Sequence, residues 1–168
     1  MNVDVLDESS YLDPDGAAVD VARLTRLAQF VMEEMRLAPA TEMTMIVVDP
    51  PTMTEYNEKW MDKKGPTDVL SFPMDELRPG TDELEAEEGY LGDMVLCPEV
   101  AQKDAESEGL VLRDHLELLT THGILHLLGY DHAEPEEHQE MFALQDELLR
   151  RWRDGGSDRH ASAGAGSR

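Results

Sequence analysis

Thr121-His122-Gly123-Ile124-Leu125-His126-Leu127-Leu128-Gly129-Tyr130-Asp131-His132 holds three of the chain's six histidines, spaced His-x3-His-x5-His. On a helix, residues four apart lie about 40° apart in projection and about 6 Å apart along the axis. His122 and His126 can therefore aim two imidazoles at one point. Gly129 can take the left-handed conformation that ends a helix. The chain then turns back, and His132 can supply a third nitrogen. Three neutral imidazoles around one centre describe an open zinc site, its fourth position left to water or substrate. A lone histidine on an apolar helix is usually packed or solvated. Three at this spacing, with glycine at the turn, point to one zinc ion per chain on His122, His126 and His132.

The spacing shares its skeleton with the zinc-protease motif H-E-x-x-H-x-x-G-x-x-H. Gly123 stands where that motif carries the glutamate that serves as general base. The metal cage survives the comparison and the peptidase base does not.

These histidines need a core to hold them, and 168 residues are enough for one domain with a proper interior. No apolar run approaches membrane-spanning length, and the start, Met1-Asn2-Val3-Asp4-Val5, lacks the basic and apolar regions of a signal peptide. Cys97 is the single cysteine, so no internal disulfide can form and a reducing, cytoplasmic setting is expected. The net charge of −23 predicts weak non-specific attraction to nucleic acid. Its distribution is uneven: Lys59, Lys63 and Lys64 fall within six residues, whereas residues 81–109 hold ten acids and one base, Lys103. A polyanion would have to approach near the lysines.

Val3 to Leu6 alternates as a short edge strand would, and Asp13-Pro14-Asp15-Gly16 signals a turn. From Ala17 to Leu37, Leu24, Leu27, Val31 and Met35 recur at three- and four-residue steps, predicting an amphipathic helix. Met43 to Val48 reads as a buried strand. Asp49-Pro50-Pro51-Thr52 opens a helix through about Met61. Thr67 to Pro73 reads as a short edge strand flanked by prolines, Met74 to Gly89 as an acidic loop, and Tyr90 to Cys97 as a strand. Pro98 starts a helix to about Ser107. Leu110 to Leu128 is apolar almost all round, which predicts a central, buried helix. On it, His115, His122 and His126 share one face. His115 is either a residue beside the metal or a core histidine, and the shared face favours the first. Pro135 opens a last helix with Met141, Leu144, Leu148 and Leu149 inward. Arg150, Arg151 and Arg153 complement the dipole at its end. The domain is expected over residues 1–153, with a glycine-, serine- and alanine-rich disordered tail over 154–168.

Two segments resemble the YbeY family of bacterial rRNA maturation factors, regarded as metal-dependent endoribonucleases. His122-Gly123-Ile124-Leu125-His126-Leu127-Leu128-Gly129-Tyr130-Asp131-His132 is similar to its H-G-x-L-H-L-x-G-Y-D-H signature. Pro66-Thr67-Asp68-Val69-Leu70-Ser71-Phe72-Pro73 is similar to its P-T-[DN]-V-L-S-F-P block. Gly92-Asp93 before an apolar strand also fits. The resemblance implies an α+β fold: a small mixed sheet of about four strands, flanked by about five helices, with the metal helix central. It implies zinc on His122, His126 and His132, and single-stranded RNA as substrate. It also implies a role at the 3′ end of small-subunit 16S rRNA and in ribosome quality control, with the small ribosomal subunit and its proteins as partners. No membrane or DNA partner is expected. Many members carry an arginine, thought to help with phosphate, five residues before the proline of the second block. Here that position is Met61. Lys63 and Lys64 are substitute cations or solvated loop residues, and a lysine lacks the guanidinium's bidentate fork.

Zinc lowers the pKa of its bound water to about 7 and polarises a phosphoryl oxygen. Phosphodiester attack needs positioning and charge neutralisation more than a strong base. A peptidase must protonate an amine, and there the absent glutamate matters. This favours RNA over peptide. The alternatives are a three-histidine zinc peptidase and a non-catalytic, zinc-stabilised ribosome assembly factor. Asp131 either orients a histidine or caps the turn. Thr67 and Ser71 are candidate substrate contacts on the edge strand, against a packing role.

Overall fold

The structure, a computed structural model, describes residues 1–131 and 133–156. Four strands and five α-helices follow in the order β1 (Asn2–Asp7), α1 (Val21–Glu34), β2 (Glu42–Val47), α2 (Pro50–Trp60), β3 (Val69–Pro73), β4 (Tyr90–Leu96), α3 (Pro98–Glu108), α4 (Leu112–Leu127) and α5 (Pro135–Arg151). The strands lie in the order β1-β2-β4-β3. β1, β2 and β4 run parallel, and β3 pairs antiparallel with β4. This is the expected mixed-sheet α+β fold, with β1 and β3 at the edges.

Alternation along the strands sorts side chains to the two faces of the sheet. Met43, Met45, Val47, Met94 and Leu96 join the main core with α1, α4 and α5, while Ile46 and Val95 belong to a smaller cluster with Met53 of α2. Met61, at the position of the family's arginine, is partly buried against that smaller cluster.

α4 packs against α1, α3, α5, β3 and β4, so it is the central helix. Its Leu116, Leu119, Ile124, Leu125 and Leu127 are buried. β3 and β4 can approach it because of two glycines. A Cβ on Gly123 would sit 2.9 Å from the Met94 sulfur and 3.1 Å from the Ser71 hydroxyl. Gly92, in the left-handed region at φ +148°, stands 2.9 Å from Leu127 by the same construction. It follows a bulge, since Tyr90 faces Glu42 and Gly92 faces Met43.

The first helix is shorter than its apolar periodicity predicts, beginning at Val21 and not Ala17. The Asp13 carboxylate accepts bonds from the Asp15 and Ala17 amides, holding a turn, and Asp20 caps the helix by accepting from the Arg23 amide. Apolar spacing does not see these local bonds. Pro98 and Pro135 open α3 and α5 as expected, and Gly109 ends α3 at φ +69°. After α5 a helical turn continues over Trp152–Gly156. The rest of the expected tail, 157–168, lies outside the described residues, as does His132. Among the described residues no helix is long and apolar enough to cross a membrane.

At the end of α5, Glu147 pairs with Arg150 at 2.6 Å and with Arg151 at 2.9 Å, and Arg151 reaches Glu34 of α1 at 3.1 Å. The hydrogen bonds from Arg150 and then Arg151 hold the Glu147 carboxyl down at about 2, from an ordinary 4.5. A lowered carboxyl stabilises the fold above its unfolded pKa, and the contribution is lost as pH falls through the folded value. Melting temperatures of the parent chain and Glu147→Gln should therefore converge as pH drops from about 4.5 to about 2. A constant gap across that range would remove the Glu147 pairing as its source.

Candidate functional site

α4 ends in a Schellman turn. The Gly129 amide donates to the His126 carbonyl at 3.0 Å and the Tyr130 amide to the Leu125 carbonyl at 3.0 Å, with Gly129 at φ +94°. The chain is thereby turned back immediately after His126, as the glycine spacing predicts.

One turn apart on α4, His122 and His126 meet edge to face with ring centroids 4.6 Å apart. Their Nε2 atoms lie 3.0 Å from each other. On the other side of its ring, His122 Nδ1 is 2.7 Å from Oε1 of Gln145 on α5. An amide oxygen only accepts, so this bond keeps the proton on Nδ1 and leaves the Nε2 lone pair for a cation. Phe142 packs against the same ring at 5.6 Å, and it stacks on His138 at 4.4 Å. Two nitrogens on one tetrahedral zinc, with bonds of about 2.0–2.1 Å, stand about 3.3 Å apart. The described pair fits a shared ion of that kind. Gln145 is 2 % exposed; nothing in the sequence singles it out, because the contact spans 23 positions and depends on how α5 packs.

The glycine between the histidines also has a structural cause. Its carbonyl accepts the Ser71 hydroxyl at 3.2 Å, and Met94 fills the space a side chain would need. The glutamate of the zinc-protease motif has no room there. Ser71, expected as a substrate contact, thus uses its hydroxyl to join β3 to α4. Thr67 points its hydroxyl to the Asp68 carboxylate at 3.4 Å. Asp131 is exposed just past the turn. Met141 is fully buried in the main core.

His126 opens on a cleft of about 290 Å³ lined also by Pro73, Glu76, Leu77, Arg78, Leu127, Leu128 and Gly129. Arg78, from the acidic loop, lines the same cleft as His126, a placement that loop composition hides. Lys63 and Lys64 are exposed and line a different cleft with Glu58 and Asp62. Near them, Trp60 is 60 % exposed with the Lys59 ammonium 5.0 Å over its ring.

His115 stands two turns before His122, about 10 Å along the axis. It faces Asp68 and Asp104, and one potential ligand atom from each of the three lies within 4.8 Å of the others. The histidines of α4 therefore divide between two places, His122 with His126 and His115 with two carboxylates.

A small mixed sheet carries a central helix whose paired imidazoles could share a metal ion, and comparison with known proteins gives the family. The family model described as endoribonuclease YbeY matches residues 14–153. A protein named endoribonuclease YbeY from Nocardioides is 57 % identical over 91 % of this chain and 99 % of its own length. One of the same name from Thermobifida fusca is 52 % identical over 91 % of this chain and 95 % of its own. A solution structure of a Thermotoga maritima protein shares the fold, with TM-score 0.59 and 24 % identity over 93 % of this chain and 95 % of that one. The chain belongs to the endoribonuclease YbeY family.

Proposed function

We propose that the chain is a zinc-dependent endoribonuclease specific for single strands. It acts in the cytoplasm on the 3′ end of 16S rRNA during small-subunit maturation and in ribosome quality control, with that subunit and its proteins as partners. The observation that carries the reading is the pair of Nε2 atoms 3.0 Å apart on α4. His122, His126 and His132 would hold the ion. Once bound, zinc would supply a Lewis acid for a phosphoryl oxygen and a water made acidic enough to ionise near neutral pH. The chain's own groups do the rest. Gln145 keeps the His122 ring in the tautomer that offers Nε2. Arg78, in the cleft beside His126, neutralises the substrate phosphate, while Lys63 and Lys64 attract the strand farther out. Trp60 offers a flat face on which an unpaired base can stack, a preference for single strands. Asp131 orients a histidine of the site, and Thr67 contacts substrate at the edge strand.

Elemental analysis tests the metal part: His122→Ala should lower the zinc content by one ion per chain, and an unchanged content contradicts the assignment. Gln145→Leu should weaken zinc about 10–100-fold, the usual cost of losing a ligand's orienting partner. Gln145→Glu, which keeps an acceptor, should restore most of it; equal loss in both variants would make Gln145 a packing residue. Arg78→Ala should lower kcat/KM on single-stranded RNA about 10–100-fold, since a charge-assisted bond is worth roughly 1.5–3 kcal/mol. Full activity in that variant would move phosphate recognition elsewhere.

A further inference from the structure

His115 is a buried histidine of α4 that the proposed reaction leaves without a task. It is 7 % exposed, and neither ring nitrogen has a hydrogen-bond partner. Burying an imidazole in that condition forfeits its hydration with nothing in return, so a partner from outside the chain is called for. The groups that face it are carboxylates from two other elements. Asp68 comes from the turn before β3 and Asp104 from α3, each half-buried. The Asp68 backbone is itself fixed, its carbonyl accepting the Cys97 amide at 2.8 Å. The bonds from the Val69 amide and the Thr67 hydroxyl both go to Asp68 Oδ1, which spares Oδ2.

The spacing is informative. One potential ligand atom from each residue lies within 4.8 Å of the others, while His115 hydrogen-bonds to neither. Ligands with bonds of about 2.0–2.2 Å to one ion stand roughly 3–4 Å apart, so a cation would close this triangle by a small side-chain shift. Two half-buried carboxylates beside each other also repel. Burial raises the Asp68 carboxyl against the Val69 amide bond that lowers it, and Asp104 raises it further. A divalent cation would answer the two needs together, bonding the bare imidazole and neutralising the paired acids.

We propose that Asp68, Asp104 and His115 form a second divalent-cation site, about 10 Å along α4 from His122, in which one ion ties α3 and α4 to the start of β3. One imidazole with two carboxylates suits Mn2+, Fe2+ or Zn2+ better than a thiolate-seeking ion. Its role is to set the turn from which β3 runs to Ser71, the residue bonded to the backbone between the two α4 histidines. The site stands on its own residues and does not depend on the proposed reaction.

Mn2+ is the probe, counted by the loss of the free-ion signal in electron paramagnetic resonance. The background is the full chain with His122→Ala and His126→Ala, which disables the other candidate site. We expect one Mn2+ per chain there, and at least tenfold weaker binding when Asp104→Asn is added. Asp104 is only partly buried and asparagine matches its shape, so folding is retained, as circular dichroism checks. Glu87→Gln on the acidic loop controls for diffuse attraction and should change nothing. In the otherwise unaltered chain, Asp104→Asn should lower the Mn2+ count by one. No bound Mn2+ in the background, or the same binding with and without Asp104→Asn, overturns the proposal.

Discussion

His126→Ala is expected to lower cleavage of single-stranded RNA about a thousandfold or more, the upper scale on which one element of an electrostatic site counts, with the fold unchanged. His126 lies half-exposed on the cleft wall. Truncation removes one of two nitrogens 3.0 Å apart, so the remaining imidazole no longer shares a centre with its helical neighbour. The two rings act as a unit, and the double variant His122→Ala, His126→Ala should be barely worse than either single one. Additive losses would instead say that each ring contacts RNA separately. The far-ultraviolet circular dichroism and melting temperature of the single variant should match the parent's in the absence of zinc.

Arg23→Met is expected to cause the largest loss of stability of any single change at the surface. Glu117 of α4 is 1 % exposed, and the Arg23 guanidinium meets its Oε2 at 2.5 Å. Its other oxygen, Oε1, has no hydrogen-bond partner. The same guanidinium lies 5.4 Å over the ring of Trp152, which packs on Phe30 at 5.5 Å. Removing one partner of a buried pair costs about 3–5 kcal/mol, because the other charge stays buried and uncompensated. Arg23 is 25 % exposed, so solvent screening places the cost near the lower end. About 3 kcal/mol should lower the melting temperature by roughly 6–12 °C in a chain of this size. Adding Glu117→Leu removes the stranded charge and should recover most of the loss. A drop below about 1 kcal/mol in Arg23→Met would mean the pair is solvated.

The parts of this molecule that chemistry ties to short spacing were legible in the sequence. His122 and His126 are one helical turn apart, Gly129 ends their helix, and Pro98 and Pro135 open α3 and α5, all decided within a few residues. The four strands were placed to within two residues at either end, one from alternation and the others from apolar segments and a bounding proline. The start of α1 was missed because the Asp13 and Asp20 side chains settle it through local bonds that hydrophobic spacing ignores. Gln145, Arg78 and Asp104 were missed for another reason. Gln145 approaches His122 and Asp104 approaches His115 across tertiary packing, and Arg78 shares a cleft with His126, so none of them carries a mark of it in the sequence. His115 shared a face with the other two histidines, as its spacing predicts. Its role could not be read there, since its neighbours arrive from α3 and the turn before β3.

The most direct test is cleavage of one labelled RNA, presented single-stranded and as a perfect duplex, by chelator-treated protein before and after one equivalent of zinc. His126→Ala, purified identically, runs beside it to expose contaminating nuclease. Cutting of the single strand alone, only after zinc and only by the parent chain, is the predicted result. Equal cutting by the chelated protein or by His126→Ala would contradict a zinc-dependent nuclease built on these histidines.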